Sequence, residues 1–113
     1  MKKIAIIIPT FNELDNIENL VKEILKKVPE SKIFIVDDSN DKKIGDLLSL
    51  KNLNATYLHR ENSKGRGSAV LYGFRNALKE DNFDIFIEMD ADFSHDPSEL
   101  RRNIEHFCNN NLD

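Results

Sequence analysis

The stretch Ile4–Glu13, IAIIIPTFNE, decides the fold. Its first half, Ile4–Ile8, is a continuous apolar run, typical of a strand that is buried on both faces of a parallel sheet. From Leu14 to Val28 the apolar residues recur every three or four positions, which predicts an amphipathic helix. We expect Asn12 to cap the start of that helix. The chain therefore opens with a strand, a short polar loop and a helix.

The same alternation continues along the rest of the chain. Since it contains no linker, repeat or low-complexity segment, it predicts a single α/β domain with a mostly parallel sheet and flanking helices. In such sheets ligands bind at the carboxyl ends of the strands, so the residues there are candidate site residues. Further strands are predicted at Lys32–Val36, Ala55–His59 and Asp84–Met89, and further helices at Ile44–Leu50, at Ser68–Lys79 and after Asp96.

Composition excludes several classes of protein. A chain of 113 residues is about one small domain. Its net charge of −4 lacks the basic footprint of a nucleic-acid-binding protein. The longest apolar run, Ile4–Ile8, is far shorter than the ~20 residues that span a bilayer, so we expect no transmembrane segment in this chain. The single cysteine, Cys108, has no partner for an internal disulfide, which indicates a cytoplasmic protein.

The sharpest local signal is Asp90-Ala91-Asp92, directly after the last predicted strand. Two carboxylates at this spacing can converge where a strand ends in a turn, and hard ions such as Mg²⁺ and Mn²⁺ take carboxylate ligands. An ion held there would stabilise a departing diphosphate. The alternative is a pair of ordinary loop carboxylates. A second acidic pair, Asp37–Asp38, ends the second predicted strand and favours the binding-site interpretation.

Two further features have open interpretations. The segment Ser63–Ser68, SKGRGS, is either the start of a helix or a phosphate contact through Lys64 or Arg66. It has neither the Rossmann nor the P-loop glycine spacing. His95 lies beside the acidic motif, and it suits a turn before a helix as well as a ligand position.

Three motifs occur in a characteristic order: Ile8–Glu13 (IPTFNE), Val36–Ser39 (VDDS) and Met89–Pro97 (MDADFSHDP). Together they resemble the amino-terminal half of family 2 glycosyltransferases, which have the Rossmann-like GT-A fold. The third motif is similar to that of the dolichol-phosphate (polyprenol-phosphate) mannosyltransferase branch. The resemblance covers residues 1–113, which it identifies as the nucleotide-sugar-binding amino-terminal part of the enzyme domain. We expect that domain to continue beyond Asp113.

The resemblance implies a nucleotide pocket lined by Pro9, Phe11 and Glu13. Family members often have tyrosine at the position of Phe11, so a hydroxyl contact would be missing while stacking survives. Asp38 would hold the ribose or the base of the nucleoside. Asp37 would support or share that contact, or instead cap the following turn.

The resemblance also implies roles for the acidic motif. Asp90 and Asp92 would ligate Mg²⁺ or Mn²⁺, and Asp92 would act in catalysis. Ala91 would approach the sugar nucleotide through its backbone. Ser94 stands where some members supply a glutamine to the metal, and is the third candidate metal ligand.

The implied reaction is metal-dependent transfer of a hexose, mannose from GDP-mannose, to a polyprenyl or dolichyl phosphate with inversion, at the cytoplasmic membrane surface. Three alternatives remain. Another family 2 enzyme would use UDP-glucose or a different donor. A nucleotidyltransferase would carry a glycine-rich basic loop in place of Pro9–Glu13. A non-catalytic nucleotide-sugar-binding fragment would follow if the acceptor site lies entirely beyond Asp113.

Overall fold

The structure, a computed structural model, describes residues 3–12, 14–61 and 65–91. Strands and helices alternate along this part of the chain, as the sequence predicts. The helix expected after Asp96 lies outside the described residues. The elements are β1 (Ile4–Thr10), α1 (Leu14–Lys27), β2 (Ser31–Asp37), α2 (Lys43–Leu50), β3 (Thr56–His59), α3 (Arg66–Glu80) and β4 (Ile85–Glu88).

The four described strands form one sheet in the order β3-β2-β1-β4. Every pairing in this sheet is parallel, which confirms the predicted fold class. The chain moves outward from β1 to β3 and then returns to the other side of β1 to form β4. The strand order therefore reverses between β1 and β4, which is where ligands bind in open parallel sheets.

Strand β1 supplies the centre of two hydrophobic cores. Ile4, Ile6 and Ile8 pack on one face of the sheet with the apolar sides of α1 and α2. Ala5 and Ile7 point to the opposite face, where α3 covers the sheet. Because successive side chains of a strand alternate between faces, an unbroken apolar run is what a sheet covered on both sides requires. All seven residues of β1 are buried.

Helix α3 approaches the sheet closely at Gly73, where a Cβ atom would lie 2.7 Å from Ile7 Cγ2 and 2.9 Å from Val36 Cγ2. We expect Gly73→Ala to lower the free energy of unfolding by about 1–3 kcal/mol through overpacking. Gly67→Ala is the matched control, since Gly67 lies in the same helix with nothing within 4 Å of the added methyl. It should raise the stability by up to ~1 kcal/mol through helix propensity. Urea unfolding of both variants tests this, and a stabilised Gly73→Ala would contradict it.

The loop between β1 and α1 differs from the prediction. Asn12 has a φ of 55°, in the left-handed region, whereas a capping residue takes an extended backbone. Helix α1 begins at Leu14, so the expected cap at Asn12 is wrong. The backbone N–H of Asn12 instead donates to Ser39 Oγ at 2.6 Å. This bond joins the loop that follows β1 to the loop that follows β2. Asn12 does not cap the helix because this tertiary contact outweighs the local capping preference of asparagine.

Candidate functional site

An open cleft of about 590 Å³ lies at the carboxyl ends of the strands, beside the start of α3. It occupies the place between β1 and β4 where the strand order reverses. Six residues that the sequence singled out meet there: Pro9, Phe11, Asp38, Arg66, Asp90 and Ala91. The other lining residues are Thr10, Asn40, Gly65 and Ala69.

Other candidates do not line this cleft or lie outside the described residues. Asp37 is fully buried behind the wall of the cleft. The remaining candidates fall on positions that the structure does not describe, and their roles stay predictions. These are Glu13, Lys64, Asp92, Ser94 and His95.

Part of the cleft lining is apolar. Phe11 is 52% exposed, and it lines the cleft together with Pro9, Ala69 and Ala91. A flat aromatic ring open to a cleft provides a stacking surface for another ring, such as a nucleobase or a sugar. The stacking role expected for Phe11 stays a prediction, and it does not require a tyrosine hydroxyl.

Asp37 organises the loop that supports the cleft. Its Oδ1 accepts hydrogen bonds from Thr10 Oγ1 at 3.0 Å and from Ser39 Oγ at 2.5 Å. The Ser39 backbone N–H also donates to Oδ1, at 3.0 Å, which is the two-residue spacing of an Asx turn. Oδ2 accepts from the hydroxyl of Tyr57 at 2.6 Å. Asp37 therefore fixes the ends of β1, β2 and β3 relative to one another.

The phenol of Tyr57 is held in its protonated form by this arrangement. Burial raises the pKa of Tyr57 well above its ordinary value, and the hydrogen bond to the Asp37 carboxylate raises the pKa further. A buried carboxylate that accepts several hydrogen bonds is far less costly than one without donors. The network explains how a fully buried aspartate is tolerated next to the cleft.

Asp38, on the cleft wall, forms a buried ion pair with Arg60. Arg60 Nε donates to Asp38 Oδ1 and Arg60 Nη2 donates to Oδ2, both at 2.7 Å. The two side chains are only 9% and 5% exposed. The hydrogen bonds to Asp38 raise the pKa of the Arg60 guanidinium above its ordinary value. This two-pronged pairing fixes the plane of the Asp38 carboxylate as well as its charge.

Sequence reasoning assigned no role to Arg60. It directly follows β3, in the same position relative to its strand as Asp38 has relative to β2. Arg60 Nη2 also donates to Gly65 O at 3.3 Å and to Ser68 Oγ at 3.1 Å, at the start of α3. The available signal was an arginine at the carboxyl end of a strand whose neighbour ends in two aspartates.

Arg66 begins α3 and pairs with two acidic side chains at the carboxyl end of β4. Its Nε donates to Asp90 Oδ1 at 2.9 Å, and its guanidinium also forms an ion pair with Glu88. The hydrogen bond to Asp90 is the main cause that raises the pKa of Arg66 above its ordinary value. A cation at a helix N-terminus is unfavourable for the helix dipole. The pairing with Asp90 and Glu88 offsets that cost.

The acidic end of the cleft contains Asp90, one of the expected ligands of a divalent cation. Asp90 presents hard carboxylate oxygens beside the cleft and attracts a positive group, here the guanidinium of Arg66. Its expected co-ligand Asp92 is two residues further on. Within residues 3–12, 14–61 and 65–91, no three His, Cys, Asp or Glu side chains gather into a metal-binding group. In that same part of the chain, no helix is long and apolar enough to cross a membrane.

The chain matches the family model described as glycosyl transferase family 2 over residues 5–113. It belongs to glycosyl transferase family 2. This confirms the family that the three sequence motifs indicate, and it excludes the nucleotidyltransferase alternative.

Two similar proteins have names that refer to a polyprenol and to mannose. Undecaprenyl-phosphate mannosyltransferase of Micrococcus luteus is 36% identical over 106 residues, covering 91% of this chain and 43% of the relative. Polyprenol monophosphomannose synthase of Mycolicibacterium smegmatis is 34% identical over 108 residues, covering 92% of this chain and 40% of the relative. The chain thus spans less than half the length of either relative.

Solved structures of other proteins have the same fold. A mannosyltransferase from Pyrobaculum calidifontis in complex with GDP-Man and Mn²⁺ superposes with a TM-score of 0.69 at 20% identity, over 92% of this chain and 32% of that one. Residues 1–349 of TarS from S. aureus give a TM-score of 0.69 at 25% identity, over 95% of this chain and 32% of that one. These neighbours are GT-A glycosyltransferases, which confirms the GT-A architecture.

Proposed function

We propose that this chain is the nucleotide-sugar-binding part of a metal-dependent glycosyltransferase that moves mannose from GDP-mannose to a polyprenyl or dolichyl phosphate with inversion. The observation that carries the proposal is the cleft at the strand-order reversal. It brings an aromatic ring, a fixed carboxylate and an acidic strand end together in a family 2 chain. The similarity to polyprenyl-phosphate mannosyltransferases supports the choice of donor and acceptor.

The nucleoside is assigned to the side of the cleft that Pro9, Phe11 and Asp38 line. Phe11 would stack on a ring of the nucleoside, and Asp38 would accept a hydrogen bond from its base or ribose. Asp37 would support this contact from behind, because its four hydrogen bonds hold the Asp38 loop. Glu13 stays assigned to the same pocket by resemblance.

The diphosphate is assigned to the opposite end, near Asp90 and Arg66. Asp90 and Asp92, with Ser94 as the third candidate, would hold Mg²⁺ or Mn²⁺, which when bound neutralises the leaving diphosphate as a Lewis acid. Ala91 lines the cleft next to Asp90 and would approach the sugar through its backbone. Arg66 would place its positive charge beside the phosphates.

The acceptor needs little activation by the protein. A phosphate monoester has a second pKa near ~6, so it is already largely ionised at neutral pH and can attack the anomeric carbon directly. Asp92, the assigned catalytic residue, would act at the departing diphosphate. We assign the transfer to the cytoplasmic membrane surface, where a polyprenyl phosphate acceptor would be reached.

A second candidate is a family 2 enzyme with a uridine-linked donor such as UDP-glucose. TarS of S. aureus, which matches this chain at a TM-score of 0.69 and 25% identity, has been solved in complex with UDP. The apolar stacking surface of Phe11 is compatible with either base. Direct binding measurements separate the two donors.

Calorimetric titration of GDP-mannose, GDP and UDP-glucose, each with and without Mn²⁺, tests the proposal. We expect the chain to bind GDP-mannose and GDP more tightly with Mn²⁺ than without it, and to bind UDP-glucose more weakly. Asp90→Asn should lose most of the metal-dependent affinity, on the order of ten- to hundredfold, as changes around metal ligands do. Asp46→Asn is the matched control, because Asp46 is exposed on α2.

The results separate the candidates. Tighter binding of UDP-glucose than of GDP-mannose would select the uridine-linked donor. Equal binding with and without Mn²⁺ in both variants would remove the metal assignment from Asp90. Donor binding without mannosyl transfer to a short polyprenyl phosphate, in an enzyme extended to the relatives' length, would support a non-catalytic binding role.

A further inference from the structure

Arg60 stands behind the cleft and links two of its walls. On one side it holds both carboxylate oxygens of Asp38. On the other it donates to Gly65 O and Ser68 Oγ at the start of α3. Asp38 and Gly65 both line the cleft, whereas Arg60 is not among the lining residues that the structure describes. The guanidinium therefore connects Asp38, on the side of the cleft assigned to the nucleoside, to the start of α3, and it does so from behind the cleft lining.

The surroundings of Arg60 fix the plane of its guanidinium. The side chain is 91% buried, since only 9% is exposed. Its Cζ lies 5.7 Å from the centroid of the Tyr72 ring, within the range of a cation–π contact. The two bonds to Asp38 come from different nitrogens of one rigid fork, which lysine cannot reproduce. The position of the guanidinium thus fixes the orientation of the Asp38 carboxylate relative to the first turn of α3.

The helix start depends on the same link. Gly65 has a φ of 124°, which glycine adopts readily and other residues do not. Its carbonyl accepts from Ala69 N at 3.0 Å in the first turn of α3, and also from Arg60. Gly65, the N-cap residue, has no side chain that could cap this helix. Within the described part of the chain, this carbonyl is anchored at the edge of the cleft by Arg60 and by Ser68, whose Oγ donates to Gly65 O at 3.2 Å.

Stability alone does not explain such an arrangement. A buried ion pair contributes little net stability compared with well-packed apolar residues of similar volume, because desolvation offsets the attraction. A guanidinium fork instead supplies a defined geometry between groups on different elements. That geometry is what a cleft needs if its walls are to match one ligand.

We propose that Arg60 is a positioning residue, which sets the distance and orientation between Asp38 and the start of α3 at Gly65. Through this geometry it determines how tightly the cleft binds a nucleoside diphosphate. This inference rests on the proposed function. Arg60 acts through Asp38 and Gly65 without touching the ligand. Its contribution to binding therefore depends on the planar fork and on an intact Asp38 carboxylate.

The test measures the affinity of GDP, in the presence of Mn²⁺, for a set of variants of the whole chain. Arg60→Lys keeps the charge and removes the fork. Asp38→Asn and the double variant Arg60→Lys/Asp38→Asn complete a double-mutant cycle. Arg75→Lys is the matched control, because Arg75 is exposed on α3. Circular dichroism and urea unfolding identify a temperature at which each variant is folded, so that lost stability is not mistaken for lost affinity.

We expect Arg60→Lys to weaken GDP binding about tenfold or more, the range of a lost charge-assisted hydrogen bond. Arg75→Lys should bind within about twofold of the wild type. In the Asp38→Asn background, Arg60→Lys should cost less than about threefold, because the carboxylate that it orients is already gone. Ser68→Ala, an exposed position, removes one anchor on the α3 side and should weaken binding about two- to threefold. It carries the test if Arg60→Lys does not fold.

Three outcomes would overturn the inference. Wild-type affinity in Arg60→Lys would show that charge without the fork suffices. Fully additive losses in the cycle would mean that Arg60 acts independently of Asp38. Wild-type affinity in Ser68→Ala, when Arg60→Lys does not fold, would show that the bonds of Ser68 to Arg60 and Gly65 do not influence binding. If the wild-type chain binds neither GDP nor UDP with Mn²⁺, the proposed function is wrong, and the inference about Arg60 is wrong with it. If the wild-type chain binds GDP and only the variants behave otherwise than expected, the inference about Arg60 alone is wrong.

Discussion

Replacing Asp38 with alanine is expected to lower the free energy of unfolding by about 3–5 kcal/mol, since it leaves the Arg60 charge buried without its partner. Arg60 forms two 2.7 Å hydrogen bonds to this carboxylate, and its side chain is 9% exposed. The loss is a large share of the roughly 5–15 kcal/mol that stabilises a typical domain. Urea unfolding at neutral pH, with the change in midpoint and slope recorded, measures it.

Two further variants establish the cause. Asp46→Ala, an exposed aspartate on α2, should change the stability by no more than about 0.5 kcal/mol. The double variant Asp38→Ala/Arg60→Met should be more stable than Asp38→Ala alone, because no unpaired charge remains in the interior. If Asp38→Ala unfolds like Asp46→Ala, the Asp38–Arg60 pair is solvated and its burial has no energetic consequence.

The second large effect is expected at Asp37. Asp37→Ala removes the acceptor of four hydrogen bonds at a site that is fully buried. Each buried donor left without an acceptor costs about 1–3 kcal/mol, so the stability should fall by more than about 3 kcal/mol. Thermal and urea unfolding report the change.

Tyr57→Phe is a milder variant of the same hydrogen-bond network, for comparison with Asp37→Ala. It removes one donor and leaves only Asp37 Oδ2 without its protein partner, so we expect a loss of about 1–3 kcal/mol. The expected order of stability is wild type, then Tyr57→Phe, then Asp37→Ala. A Tyr57→Phe variant as stable as the wild type would show that the hydroxyl contributes nothing net to the network.

The architecture follows from local sequence patterns to a large extent. The unbroken apolar run of Ile4–Ile8 and the helical spacing that follows it are sufficient to predict a doubly covered parallel strand and a crossover helix. The observed β1 (Ile4–Thr10) ends two residues later than predicted, and α3 (Arg66–Glu80) starts two residues earlier and ends one residue later than predicted. Such ends depend on neighbouring strands and on capping contacts, which periodicity does not contain.

The sequence predicted that the candidate site lies at the strand ends, but it did not predict which side chain at each strand end faces the cleft and which is buried. Adjacent aspartates at the end of β2 look alike in the sequence. In the structure Asp37 turns inward to four protein donors, whereas Asp38 lies on the cleft wall. Alternation of side chains along an extended chain separates the two, and only the neighbouring strands determine which one meets the cleft.

The sequence by itself determined the class of fold, the family and the strand ends at which Pro9, Phe11, Asp38 and Asp90 meet. These depend on residue periodicity and on motifs that are local in the chain. The tertiary structure decided that Arg60 pairs with Asp38, that Arg66 pairs with Asp90, and that Asn12 binds Ser39 in place of capping a helix. Each of these contacts joins residues at least 22 positions apart. Their partners are set by the strand order and by burial, which the spacing of residues along the chain does not encode.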